Sequence, residues 1–300
     1  MKIAELLASA ARRTIGAALG LGLAWSVVAP AAAHAEPAMW VVKDADSTVY
    51  LFGTVHLLKK EVVWNSPKVQ AAMAESQELW LELLDGDDQA KLTPLVQRLG
   101  LDLQRPLSSK LSAAQKAKLA KVAAQHGINP AALEPMKPWL AALSLSLAPL
   151  QAAGWDANSG VDKLLQAQAI KEGDKLRAFE TAEQQMRFFA DLPEAAQIEY
   201  LDQTLDDAGR GLALMDQIAA AYARGDADEI GRIMSAELQA DSPEVYQVLL
   251  TRRNQAWADQ IQKVLAGKGT HFVAVGAAHL AGPDSVQAQL AKRGVKAERR

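Results

Sequence analysis

Three short apolar runs stand out from a chain that is otherwise spaced for helices. The first, Thr48-Val49-Tyr50-Leu51-Phe52, ends at Gly53-Thr54-Val55-His56. The second is Glu78-Leu79-Trp80-Leu81-Glu82-Leu83. The third, His271-Phe272-Val273-Ala274-Val275, ends at Gly276-Ala277-Ala278-His279. They are rich in β-branched and aromatic residues and bounded by polar residues or glycine, the signature of buried strands. Lys175-Leu176-Arg177-Ala178-Phe179, closing on Glu180, is a weaker fourth strand. Met39 to Lys43 is expected to pair with the first run through a turn at Asp44-Ala45-Asp46-Ser47. Val295 to Arg299 reads as a short final strand.

The stretches between are rich in Ala, Leu, Gln and Lys and favour helix. Ser66-Pro67 caps a helix running to Ser76. Further helices are predicted over Ser112 to Gln125, Pro130 to Leu133, Pro138 to Ala152 and Gly160 to Ile170. Thr181 with Gln184 forms a capping box before Met186 to Ala190. Glu194 to Arg224, Asp226 to Gln239, Pro243 to Ala266 and Pro283 to Lys292 complete the set. The order is strand–helix–strand, a helical block over about 89–239, then strand–helix. That order predicts an α/β fold with a helical insertion rather than a bundle.

The first residues are set apart by charge. Lys2, Arg12 and Arg13 precede an apolar stretch from Ile15 to Ala32, and Ala33-His34-Ala35 follows. This pattern predicts a signal peptide over 1–35, cleaved before Glu36. The stretch is shorter than the roughly 20 residues of a spanning helix. The expected product is periplasmic or secreted, with no membrane span once the signal is removed. The absence of cysteine excludes a lipid-anchored lipoprotein and a disulfide scaffold. Residues 36–300 fit a single domain. Half of the residues are hydrophobic and the net charge is -3, which argues against disorder and against a nucleic-acid partner.

Two of the five histidines, His56 and His279, follow an apolar strand in the same Gly-x-x-His-Leu frame. In open α/β sheets, ligands bind beyond the carboxyl ends of the strands. Glycine lets the backbone approach closely there, and a histidine three residues on projects into the crevice. Glu82 and Glu180 close the other two runs and reach the same edge. Two imidazoles and a carboxylate are a plausible divalent-metal set. The alternative for Glu82 is a structural salt bridge to Arg253. His126, at a helix end, and His271, opening a strand, read as structural. Trp139 and Trp257 read as core or cleft walls. His-Glu-x-x-His and Gly-x-Ser-x-Gly motifs are absent.

Taken in order, these motifs resemble the TraB/GumN family, bacterial relatives of the Tiki proteases. The residues that carry the resemblance are Tyr50 to His56, Leu81-Glu82-Leu83 and Phe272 to Leu280. Lys137-Pro138-Trp139, Gly160-Val161-Asp162, Phe179-Glu180-Thr181, Glu183-Gln184-Gln185, Arg253-Asn254 and Trp257 match as well. The resemblance implies a fold shared with erythromycin esterase-like and haem-uptake ChaN-like proteins. Its mostly parallel β core comes from two pseudo-symmetric halves, each carrying one Gly-x-x-His. It also implies a metal-dependent, peptidase-like hydrolase. Carried over, His56, Glu82 and His279 are metal ligands, the ion being Mn, Co or Zn. Glu82 is either ligand or general base, and Glu180 is the other candidate base. Arg253 would orient a carboxylate or stabilise an oxyanion. Relatives often show Glu-Leu-Asp where this chain has Glu82-Leu83-Leu84-Asp85, so Asp85 would have to serve for that aspartate. The expected substrate is a peptide or small molecule. The competing reading is a non-catalytic cell-envelope protein that binds a metal, haem or small ligand.

Overall fold

A computed structural model describes residues 36–59 and 62–300. The predicted signal peptide lies outside the described residues. Six strands form one mixed sheet: β1 (Met39–Lys43), β2 (Ser47–Thr54), β3 (Glu78–Leu81), β4 (Lys175–Ala178), β5 (Gly269–Gly276) and β6 (Glu298–Arg299). Their spatial order is β4-β3-β5-β2-β1-β6. The four strands β4, β3, β5 and β2 run parallel, while β1 and β6 are antiparallel additions at one side. The predicted α/β class with a mostly parallel core is what forms. The weak fourth run is a true strand, pairing Leu81 with Ala178 at the sheet margin.

Period-2 alternation decides which side chains enter which layer. Tyr50, Phe52, Phe272 and Ala274 point to one face, beneath the helices Pro67–Ala74 and Val161–Glu172. Val49, Leu51, Val273 and Val275 point to the other, beneath Arg252–Leu265 and Val286–Ala291. With both faces covered, the inner strands read as continuous apolar runs, which is why they were visible in the sequence.

The helical block differs from its predicted outline. It is divided, because Val161–Glu172 and β4 return to the sheet. The expected helix over Glu194 to Arg224 is two, Glu194–Asp207 and Gly211–Ala223. Gly209 and Gly211 flank the break, and glycine disfavours helix by about 1 kcal/mol. The expected helix over Pro243 to Ala266 contains a π-helical turn, Gln247–Thr251, before Arg252–Leu265. Such a turn widens the helix by one residue and frequently marks a functional position. Among the described residues, no helix is long and apolar enough to cross a membrane.

Candidate functional site

Four parallel strands end on one edge, and each delivers a polar side chain there. β2 leads to His56, β3 to Glu82, β4 to Glu180, and β5 to a 3-10 turn, Ala277–Leu280, that carries His279. The glycines make this convergence possible. A Cβ on Gly53 would stand 3.2 Å from Ala277 Cα, and one on Gly276 would stand 3.1 Å from Glu82 Oε1. Each motif's glycine therefore faces the other half of the site. Gly160 plays the same part behind His56, since a Cβ there would meet the His56 carbonyl oxygen at 2.5 Å. Gly160→Ala is expected to cost about 1–3 kcal/mol and lower the melting temperature. Wild-type stability in that variant would show that the approach is not tight.

Arg253 centres the cluster. It rises from the first turn of the helix that follows the π turn, and its side chain is 10% exposed. Nε donates to Glu180 Oε1 at 2.9 Å, and Nη2 donates to Glu180 Oε2 at 2.8 Å and to Glu82 Oε2 at 2.6 Å. Nη1 donates to the Leu249 carbonyl at 3.2 Å and faces His279 Nε2 at 3.1 Å. All sides of the guanidinium fork are thus engaged. Trp257 donates from Nε1 to Glu180 at 2.9 Å and lies 4.4 Å, centroid to centroid, from the His279 ring. Trp257 is buried as expected, and it also forms part of the site. Gln185 bridges the two carboxylates, donating to Glu180 at 3.1 Å and to Glu82 at 3.3 Å.

Both imidazoles face a polar partner at Nδ1. His279 Nδ1 lies 2.6 Å from Asn254 Oδ1, whose amide nitrogen donates to the Asp284 carbonyl. That bond fixes the amide orientation, so His279 carries its proton on Nδ1 and offers the Nε2 lone pair to Arg253. His56 Nδ1 lies 3.3 Å from Asp162 Oδ1. The Nε2 atoms of His56 and His279 stand 3.9 and 3.8 Å from Glu82 Oε1. Oε1 also accepts the Gly276 N–H at 2.7 Å.

The charges differ sharply between the two histidines. Burial pushes His279 from 6.5 down to about 3, against the pull of Glu82. Burial also opposes charge on His56, but the Asp162 hydrogen bond and the fields of Glu82 and Asp162 outweigh it and raise His56 to about 9. The His56 ring is 60% open to solvent, and water screens part of those fields. Burial works against the Glu82 carboxylate, yet His279, Arg253, His56 and the Gly276 N–H hold it well below the usual range. Because His279 is neutral near pH 7, the support for Glu82 there comes from Arg253, His56 and the Gly276 N–H.

As the site stands, a divalent ion on His56, Glu82 and His279 does not fit. The Arg253 guanidinium occupies the His279 lone pair and one Glu82 oxygen. Among the described residues, no group of three His, Asp or Glu side chains is placed to hold an ion. The positive charge that an ion would bring is supplied by Arg253 and protonated His56. The salt bridge weighed for Glu82 is real, at 2.6 Å. Asp85 pairs with Lys91 at 2.8 Å on the surface and does not serve in the site. Asp162, Asn254 and Gln185, which matched family motifs in the sequence without a catalytic role assigned to them, are members of the site as well. Of the other histidines, His271 lies 3.3 Å from Glu78 at the opposite end of β5, and His126 caps a helix.

The cluster forms the floor of an apolar hollow of about 440 Å³, walled by Phe188, Phe189, Ile218 and Leu249. A more polar cleft of about 280 Å³ meets it at Thr54, His56, Glu82 and Gln185, with Asp87, Lys163 and Gln166 beyond.

"Uncharacterized protein YbaP" of Escherichia coli (strain K12) is 23% identical over 254 residues, covering 85% of this chain and 92% of its own length. An "Uncharacterized protein" of Treponema pallidum (strain Nichols) is 22% identical over 282 residues, covering 87% of this chain and 82% of its own. No solved structure gives a significant match. The profile of the TraB/PrgY/gumN family matches residues 38–299, from β1 through β6 and so across every site residue described above, and the chain belongs to that family.

Proposed function

We propose that this protein is an exported hydrolase that cleaves an ester or amide bond, with a peptidase-like reaction at the edge of the parallel sheet. The observation that carries this reading is the delivery of His56, Glu82, Glu180 and His279 by four parallel strand ends to one cluster, three of whose members, His56, Glu82 and His279, line the cavities. Perturbed titratable groups in a cleft are the usual mark of a reactive site. Export rests on the charged and apolar pattern of residues 1–35.

The gap between Glu82 Oε1 and His56 Nε2, 3.9 Å, suits one bridging water. Glu82 takes a proton from that water as its oxygen bonds to the carbonyl carbon. A carboxylate held so low is a weak base, so the barrier depends on how well the developing oxyanion is stabilised. Protonated His56, the most exposed charged group of the site, supplies that stabilisation. The carbon–heteroatom bond then breaks, and the proton held by Glu82 leaves with the departing group. Thr54 Oγ1 is buried on the wall shared by both cavities and has no hydrogen-bond partner among the described residues. Arg253 holds both glutamates in place through its hydrogen bonds.

The test is hydrolysis of p-nitrophenyl esters and a fluorogenic peptide set by the purified protein. Glu82→Gln is expected to lower kcat/KM by about 100-fold or more, and His56→Gln by about 10- to 100-fold. The wild-type rate should fall on the alkaline side as His56 loses its proton near pH 9. Full activity in Glu82→Gln would sink this mechanism.

A further inference from the structure

The hollow above the cluster does not end at its walls. A second cavity, about 430 Å³, lies beyond it between the helices Pro138–Ala152, Glu194–Asp207 and Gly211–Ala223. The two cavities share Met215, Ile218, Met234, Leu238 and Leu249 as a common wall. Those side chains are all apolar and unbranched at Cβ except Ile218, and methionine adapts readily to an aliphatic neighbour. Met234 is 39% exposed, which places part of that wall at the surface. Site, hollow and outer cavity therefore lie in succession along one course, the two cavities adjoining across apolar side chains.

Four of the polar side chains that line the outer cavity, Ser146, Thr204, Gln203 and Asp207, are committed elsewhere. Ser146 Oγ donates to the Ala142 carbonyl at 3.0 Å and Thr204 Oγ1 to the Tyr200 carbonyl at 2.8 Å, each within its own helix. Gln203 accepts from Ser242, and Asp207 pairs with Arg210. An extended peptide needs main-chain hydrogen-bond partners at regular spacing. An alkyl chain needs none and gains about 0.8 kcal/mol for each methylene removed from water.

We propose that this channel takes the unbranched acyl chain of a single-tailed amphiphile, with its carbonyl at the His56–Glu82 cluster and its polar group in the cleft beside Lys163. The site's use as a hydrolase rests on the preceding reading, whereas the seating of the chain does not. The probe is 11-(dansylamino)undecanoic acid, added to the purified full-length protein and followed by its fluorescence. Saturable binding is expected, with displacement by octanoate, decanoate and dodecanoate strengthening about fourfold per methylene. Met234→Glu, a change at a partly exposed position, is expected to weaken the probe at least about tenfold while leaving the melting temperature near wild type. Ile218→Trp, which fills the common wall, should weaken it as well. Absence of saturable binding, binding unchanged in both variants, or equal displacement by a hydrophobic octapeptide would overturn the channel assignment. If the probe binds as expected but p-nitrophenyl dodecanoate is not cleaved, the hydrolase reading fails and the channel assignment stands.

Discussion

Arg253→Met is expected to destabilise the protein by about 3–5 kcal/mol, the usual effect of removing one partner from a buried ion pair. The substitution keeps much of the side-chain volume and removes every donor of the fork. Glu82 and Glu180, with side chains 10% and 8% exposed, would be left as neighbouring buried carboxylates without their counter-charge. One or both would have to take up a proton or draw in water, and either response weakens the fold. Urea unfolding at pH 7 measures the loss directly. The same variant decides the question of the ion. It frees His279 Nε2 and leaves negative charge unbalanced beside it, so affinity for Mn²⁺, Co²⁺ or Zn²⁺ should rise by about 100-fold or more over wild type in calorimetry. Added ion should restore part of the lost stability through mass action. Wild-type protein that already binds such an ion tightly, and loses it in both His56→Ala and His279→Ala, would show that Arg253 yields to a metal.

The second large effect is acid sensitivity. His279 is neutral in the folded site down to about pH 3, whereas in the unfolded chain it takes a proton at about 6.5. Between those values the unfolded chain binds the extra proton, so stability rises with pH and is lost as the pH falls. The full span corresponds to about 5 kcal/mol as an upper bound. Glu82 acts in the same direction below about 4.5, because its folded carboxyl stays ionised after the unfolded one has taken a proton. His56 acts oppositely. Its raised pKa favours the folded state below 6.5, and that gain fades as the pH rises through about 9. Stability is therefore expected to peak near pH 6.5. Urea midpoints measured from pH 4 to 9 trace the profile. His279→Gln should flatten the acid side between 6.5 and 4, and an unchanged slope in that variant would place the titration on another group.

The inner strands were legible because both of their faces are buried, which makes each run continuously apolar. The edge strand β4, with an alternating exposed pattern, gave a weaker signal for the same reason. Helix existence was legible from propensity and caps, and Thr181 forms the expected reciprocal cap, while Ser112 forms a second one that the sequence reading did not single out. Helix continuity was not. A π turn arises when packing forces one extra residue into a turn, and no local preference records that.

His56, Glu82, Glu180 and His279 could be read from the chain because each closes a recognisable apolar run, and parallel strands in one sheet bring such ends to one edge. Sequence by itself thus determined the layers, the edge and the four groups placed on it. Only the tertiary structure decided what those groups are to one another. Arg253 is 171 residues from Glu82 and Asn254 is 25 from His279, and both sit on a helix whose rotation depends on how it packs across the sheet. Asp162 reaches His56 because Gly160 lets two loops touch. Those contacts fix the tautomer of one imidazole, the charge of the other, and the presence of a guanidinium where a metal ion was expected. Protonation and ligand geometry depend on distances of a few ångströms between remote segments, and those distances are set by folding.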